Sequence, residues 1–393
     1  MTQMIWQQYV YRRGNEVPEL WDSLFKKRKP KLLYIAGQGF DVRVIKVMEK
    51  FLSTLDEVGI EVENAKLLLI EVNGYELSDE LKKQTEENGK QLEALFSSIG
   101  SISRLPIGAP ESSDDDEEND ATATQILTAG VRSVIAQIDQ YTDIILDVSS
   151  LPRVVYLSLL VGILGKLIPD KNKPDALYAN GINFQVLVGE DPNLDGQIKS
   201  EDPSNEFINI PGFSSALNLE SARDWPFVWF PVLGENRSGQ LDKIISEKVQ
   251  GNAEVCPVLP HPSKNPRRAD SLILEYRETL FERMGVATTN VMYTHEAHPF
   301  ETYRQMFKAM ERYRISFQLL GGCRLVVTPL SSKLMTLGVG LACFNMKPQG
   351  QDENHVLAIP YSEPHRYSVT GAELKASKPE IFSLLLTGSA YEA

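Results

Sequence analysis

The chain has 393 residues, 42% of them hydrophobic and 24% charged, a balance that excludes a wholly disordered polymer. The formal net charge is -13, from 40 Lys+Arg against 53 Asp+Glu, which speaks against direct nucleic-acid binding because phosphate contacts need a positive surface. At about 100–200 residues per domain, the length suggests two domains or one large α/β domain.

In chain order, residues 1–30 read as an N-terminal extension with no apolar signal core. KLLYIAG (31–37) is nearly all apolar, as a strand covered on both faces should be. Residues 42–59 carry Val44, Val47, Met48, Phe51 and Leu55 at helical spacing, and KLLLIEV (66–72) is the next strand. A polar helix follows over about 77–97, then a Gly/Pro/Ser loop. ESSDDDEEND (111–120) holds seven acids and reads as a solvated, disordered acidic insertion near 105–121; without it the remaining charge is only about -6. Residues 122–141 predict a helix, 143–149 a strand, 151–168 a buried helix and 182–189 a strand. Residues 190–222, rich in Asp, Asn, Pro, Ser and Gly, read as a linker or long loop over 191–222.

The pattern then restarts. Strands are expected at 227–234, 254–260, 289–295, 323–330 and 354–361, with helices at 237–250, 267–284, 300–317 and 333–344. The fold class is therefore α/β: two tandem Rossmann-like units with mostly parallel sheets, at 31–190 and 223–393. A single larger sheet is the alternative arrangement. The longest apolar run, 154–168, is too short to span a bilayer and is interrupted by Ser158, Gly162, Gly165 and Lys166. Cys256, Cys323 and Cys343 show neither zinc spacing nor a disulfide framework, so a cytoplasmic setting is expected.

In open α/β sheets, ligands sit beyond the carboxyl ends of the strands. Three turns there carry candidate ligand-binding residues. The first is Gly37-Gln38-Gly39-Phe40-Asp41-Val42-Arg43, where Gly37 and Gly39 permit close backbone approach and Asp41 can cap the next helix. Arg43 in a first helical turn is unfavourable unless an anion or an acid answers it. The second is Asp147-Val148-Ser149-Ser150-Leu151-Pro152-Arg153: a carboxylate, two hydroxyls able to cap, Pro at the first helical position and a cation suited to phosphate. The third, Thr328-Pro329-Leu330-Ser331-Ser332-Lys333, repeats the second in kind. Arg237, in Gly234–Gly239, and His295 are further candidates, as is the basic island 260–268. His295, Glu296 and His298 fall in a loop before Pro299, where no Cys or acidic partner on one face is predictable, so no metal is expected. No Walker A, GxSxG or HExxH motif is present, and no catalytic residue is assigned.

Asp147–Arg153 resembles the ligand-facing turn of CARF-type Rossmann-like sensors of bacterial and archaeal immunity. That resemblance covers roughly residues 31–190. It implies a nucleotide-derived signal held by Asp147, Ser149, Ser150 and Arg153, with Gly37 and Gly39 below its phosphates. No effector nuclease or DNA-binding domain is evident. Gly37, Gly39, Phe40, Asp41 and Arg43 are similar to the first motif of leucine carboxyl methyltransferase-type proteins. In that family Glu71 would hold the ribose of S-adenosylmethionine, but nothing downstream reads as a methyltransferase.

The leading expectation is a cytoplasmic bacterial ligand sensor of anti-phage defence. It would bind a nucleotide or other phosphate-bearing small anion through Arg43, Arg153, Lys333 and Arg237. A protein effector partner and a homodimer are compatible with it, and no membrane contact is expected. The alternative is an S-adenosylmethionine-dependent methyltransferase or other nucleotide-using transferase. A scaffold is a third option, in which internal pairs occupy these turns. The cofactor is left open, with a nucleotide-type ligand the leading option.

Overall fold

The computed structural model describes residues 3–26, 28–107, 123–350 and 354–392, without the side chains of 200–206. The acidic run 111–120 lies outside the described residues. The chain forms two compact units: a first of residues 5–199 with 366–393, and a second of residues 1–4 with 200–365.

The first unit begins with β1 (Val10–Arg13), α1 (Glu16–Phe25), β2 (Lys31–Gln38), α2 (Arg43–Val58), β3 (Asn64–Val72) and α3 (Asp79–Phe96). It continues with β4 (Ser101–Ile107), α4 (Ala123–Ile135), β5 (Asp143–Asp147), α5 (Arg153–Leu167), β6 (Asn183–Glu190) and α6 (Pro192–Gln197). The second unit contains β7 (Lys199–Ser214), which begins one residue before it, α7 (Ser215–Asn218), β8 (Phe227–Val232), α8 (Ser238–Lys248), β9 (Glu254–Val255), β10 (Val258–Pro260) and α9 (Arg268–Glu275). There follow β11 (Met292–Thr294), α10 (Pro299–Ser316), β12 (Cys323–Pro329), α11 (Lys333–Met346) and β13 (His355–Ser368). The chain then returns to the first unit as α12 (Gly371–Ala376) and β14 (Glu380–Thr387).

The first sheet runs β1-β14-β6-β5-β2-β3-β4, parallel from β6 to β4, with β14 and β1 antiparallel. The second runs β11-β10-β8-β12-β13-β7, with β9 also pairing β8. Counted from their first parallel strands, β2 and β8, both sheets have the Rossmann order 3-2-1-4-5. Each therefore reverses its winding between strands one and four. The chain is therefore α/β, with two mostly parallel sheets.

The boundaries expected from the sequence need three corrections. Residues 1–30 are not an extension: Trp6 Nε1 donates to Leu386 O at 2.9 Å, and Trp21 Nε1 donates to Gln185 Oε1 at 2.9 Å. Residues 191–222 are not a linker, because they supply α6 and the edge strand β7. The second domain does not run to 393, since β14 fits between β6 and β1. Residues 101–107 are likewise a strand where a loop was expected. The expected strand 254–260 is two short strands broken at Cys256-Pro257, where proline supplies no N–H.

The central strands are buried on both faces. Leu32, Leu33, Tyr34, Ile35 and Ala36 are fully covered, at about 1.5–3 kcal/mol for each large side chain. Phe51 from α2 meets Trp21 edge-on, with ring centroids 5.1 Å apart, beneath the same strand. Gly59 ends α2 at φ 70°, a left-handed cap that suits glycine. The helix after the fourth strand is apolar all round in both units: Leu334–Met346 of α11 are buried without exception, and α5 is nearly so.

Candidate functional site

The turns after β2 and β5 meet at the switch point of the first unit. Ser150 Oγ donates to Gly37 O at 2.7 Å. A Cβ on Gly37 would stand 2.7 Å from Leu151 Cδ2, and one on Gly39 would stand 3.0 Å from Ser150 O. The glycines thus allow one turn to pack on the other, and Ser150 and Leu151 fill the space where ligand phosphates were expected. Asp147 and Ser149 are fully buried. Asp147 accepts from Tyr34 Oη and Ser149 N, both at 2.9 Å, while Ser149 Oγ accepts from Gly189 N at 2.8 Å. Burial, then the Asp147 charge, pushes the Tyr34 phenol well above its ordinary pKa, so it remains a donor. The expected ligand roles of Asp147 and Ser149 are corrected on this geometry: both tie β5 to its neighbours. The expected serine cap also fails. Pro152 precedes Arg153, the first residue of α5, and makes no side-chain cap.

Arg43 needs the same correction. Its side chain is 1% exposed. Nε lies 2.9 and 3.0 Å from the two Asp41 oxygens, Nη2 lies 2.6 Å from Asp41 Oδ2, and Nη1 lies 2.8 Å from Asp195 Oδ1 in α6. Burial alone would lower its pKa, but Asp41 and Asp195 outweigh burial and raise it. An acid, rather than an anionic ligand, answers this helix-start cation. Asp41 Oδ1 also accepts from Arg43 N at 3.1 Å, but the residue that caps α2 is Val42, with no side-chain cap bond, so the expected Asp41 cap does not form. Phe40 and Val42 join a small apolar cluster with Leu81, Leu194 and Leu374, which covers the turn. Glu71 is paired with Arg104 Nη1 at 2.6 Å.

In the second unit, the turn after β8 packs on the turn after β12. A Cβ on Gly234 would stand 2.5 Å from Leu330 O. Ser331 is buried and donates to Met335 Sδ at 3.1 Å, so its expected ligand contact is corrected. Ser332 caps α11 by accepting from Met335 N at 3.3 Å. Lys333 and Arg153 are each half-buried first residues of their helices, at matching topological positions. Arg237 precedes α8, and its backbone N donates to Tyr276 Oη at 3.3 Å.

Arg268, at the start of α9, binds Glu235 through Nε at 2.5 Å and Nη2 at 2.6 Å, and binds Glu296 through Nη1. Burial would raise the Glu235 carboxyl, but the Arg268 bond and charge outweigh it and hold the pKa below the ordinary value. The sequence placed Arg268 in the basic island without identifying these acids, which lie far away in the chain. His295 Nδ1 accepts from Ala297 N at 3.1 Å, and its ring lies 5.9 Å from that of His298. Among the described residues, no group of three His, Cys, Asp or Glu could hold a metal ion. Cys256 and Cys323 are buried thiols whose pKa values burial pushes up to about 11 and about 12, which disfavours nucleophilic thiolates.

No family model matches this chain, and no curated protein matches it significantly. Solved structures similar to it include a protein described as a universal stress protein from Pseudomonas aeruginosa UCBPP-PA14, with 11% identity and a TM-score of 0.23, covering 85% of this chain and 93% of that one. Another is the cytoplasmic domain of a prokaryotic cation chloride cotransporter, with 12% identity and a TM-score of 0.23, covering 86% and 98%. A phosphoglycerate mutase from Leishmania mexicana has 10% identity and a TM-score of 0.26, covering 93% and 71%. Likeness at this level carries no functional argument. Among the described residues, no helix is long and apolar enough to cross a membrane.

Proposed function

We propose that this chain is a ligand-sensing protein that binds a nucleotide or other phosphate-bearing small molecule. One observation carries the reading: beyond the fourth parallel strand of each unit stands a serine-pair turn and then a half-buried cation, Arg153 or Lys333, as the first residue of a helix. A helix start presents unbonded N–H groups, and a cation beside them adds to the attraction for an anion. In this role the protein would relay occupancy to a protein partner in the cytoplasm. The resemblance of Asp147–Arg153 to the ligand-facing turn of prokaryotic immune sensors supports assigning that relay to anti-phage defence.

Isothermal titration of wild type, Arg153→Ala and Lys333→Ala against a nucleotide panel tests the reading. The expected result is at least a tenfold loss of affinity in one variant. Unchanged affinity in both, for a nucleotide that wild type binds, removes the assignment. A scaffold is the second reading, favoured by the internal bonds of Arg43, Asp147 and Ser149. It predicts that no nucleotide in the panel binds.

A further inference from the structure

The first unit has a cleft of about 350 Å³ lined by Tyr75, Glu76, Leu77, Ser78, Lys82 and Arg366. It lies where the chain leaves β3, at the carboxyl edge of the sheet and on the other side of β2 from the filled β5 turn. We propose that this cleft binds a mononucleotide, with the base against Tyr75 and the phosphate between Lys82 and Arg366. The proposal rests on the reading above that the ligand is a phosphate-bearing small molecule, and it assigns a mononucleotide site separate from the Arg153 and Lys333 turns.

Four observations support it. First, the aromatic wall is held in place: Tyr75 lies 5.3 Å from Tyr367, which lies 5.9 Å from Phe40. A fixed ring offers a stacking face with little ordering cost, and base stacking is tolerant of base identity. Second, an isolated backbone bridge joins Glu76 to Arg366 and fixes the two walls against each other. Third, Lys82 and Arg366 are exposed, and neither makes an ion pair among the described residues. This differs from Arg43, Arg104 and Arg268, each of which is paired with two carboxylates. With Glu76 as an acceptor suited to a sugar hydroxyl, the lining has a net charge of +1 in a chain of -13. Fourth, the volume falls within the roughly 300–1,000 Å³ of small-molecule sites.

The test is calorimetric titration of the intact chain with adenosine monophosphate, adenosine and inorganic phosphate as separate probes. Adenosine monophosphate is expected to bind at least tenfold more tightly than either fragment. Lys82→Ala, Arg366→Ala and Tyr75→Ala should each weaken it at least fivefold, with circular dichroism unchanged because these side chains are exposed or half-buried. Arg153→Ala should leave its affinity unaltered. The cleft is overturned if wild type does not bind adenosine monophosphate, or if Lys82→Ala and Arg366→Ala bind it as wild type does. Loss in Arg153→Ala alone overturns the cleft and keeps the fourth-strand turn. Loss in the cleft variants alone keeps the cleft, and the nucleotide panel then tests the fourth-strand turns by themselves.

Discussion

Each unit clamps an arginine between two carboxylates at the carboxyl edge of its sheet, but the clamps close opposite sides of the switch point. In the first unit, Arg43 joins Asp41, after the first parallel strand, to Asp195, after the fifth. In the second, Arg268 starts the helix after the second parallel strand and joins Glu235, after the first, to Glu296, after the third. The first unit is thus tied on its fourth- and fifth-strand side, and the cleft of Tyr75, Lys82 and Arg366 lies on the other. The second is tied on its second- and third-strand side, away from the Lys333 turn. A cation at a helix start is therefore ambiguous by itself; the loop that closes over it decides whether it serves the fold or a ligand.

The largest expected difference between the units comes from removing the clamps. Arg43→Ala leaves Asp41 buried without its guanidinium, which costs about 3–5 kcal/mol. Arg268, whose side chain is 16% exposed, should cost about 1.5–3 kcal/mol on the same change. Urea unfolding of both variants measures this, and an equal or larger loss at Arg268 breaks the comparison.

Next come the glycines where the turns pack. Gly234→Ala would push a methyl against the backbone carbonyl of Leu330, 2.5 Å away, whereas Gly37→Ala meets the movable end of Leu151 at 2.7 Å. Overpacking should cost about 3 kcal/mol at Gly234 and about 1 kcal/mol at Gly37. Thermal melts that reverse this order would contradict the contrast between a rigid carbonyl neighbour and a movable side chain. Ser150→Ala, which removes the bond to Gly37 O, should cost about 1 kcal/mol, and an unchanged melt would mean that the bond does not hold the turns together.

The smallest effect concerns pH. All five histidines belong to the second unit. Burial, then the neighbouring His295, lowers the pKa of His298 below its ordinary value. The unfolded chain therefore takes up this proton more readily than the folded one. The stability contributed is full above about pH 6.5 and declines as pH falls through the lowered folded value. Hydrogen exchange from pH 7 to 5 should show the second unit loosening first, with the trend weakened in His298→Asn. A first unit that loosens in step would contradict this.

The repeated alternation of strands and helices was legible because buried parallel strands are written as continuous apolar runs, such as 31–37 and 323–330. Four features hid the rest. β14 joins a sheet whose other strands lie nearly 200 residues or more earlier, and no local pattern reveals that return. β7 carries Pro203 and Pro211, which edge strands tolerate but which read as a linker. β4 contains Pro106 and alternates polar residues. At the site, Asp41 could be seen as an answer to Arg43 two residues away, but Asp195 lies 152 residues on, and the Tyr75 loop had no motif to draw attention to it.

The central claim is that a phosphate-bearing small molecule binds this protein. Native mass spectrometry of the purified chain, before and after adding equimolar mononucleotides, tests it directly. The account predicts a complex with a mononucleotide, weakened when Lys82 and Arg366 are both replaced by alanine. A spectrum that shows only the bare 44.0 kDa chain at millimolar nucleotide would contradict it.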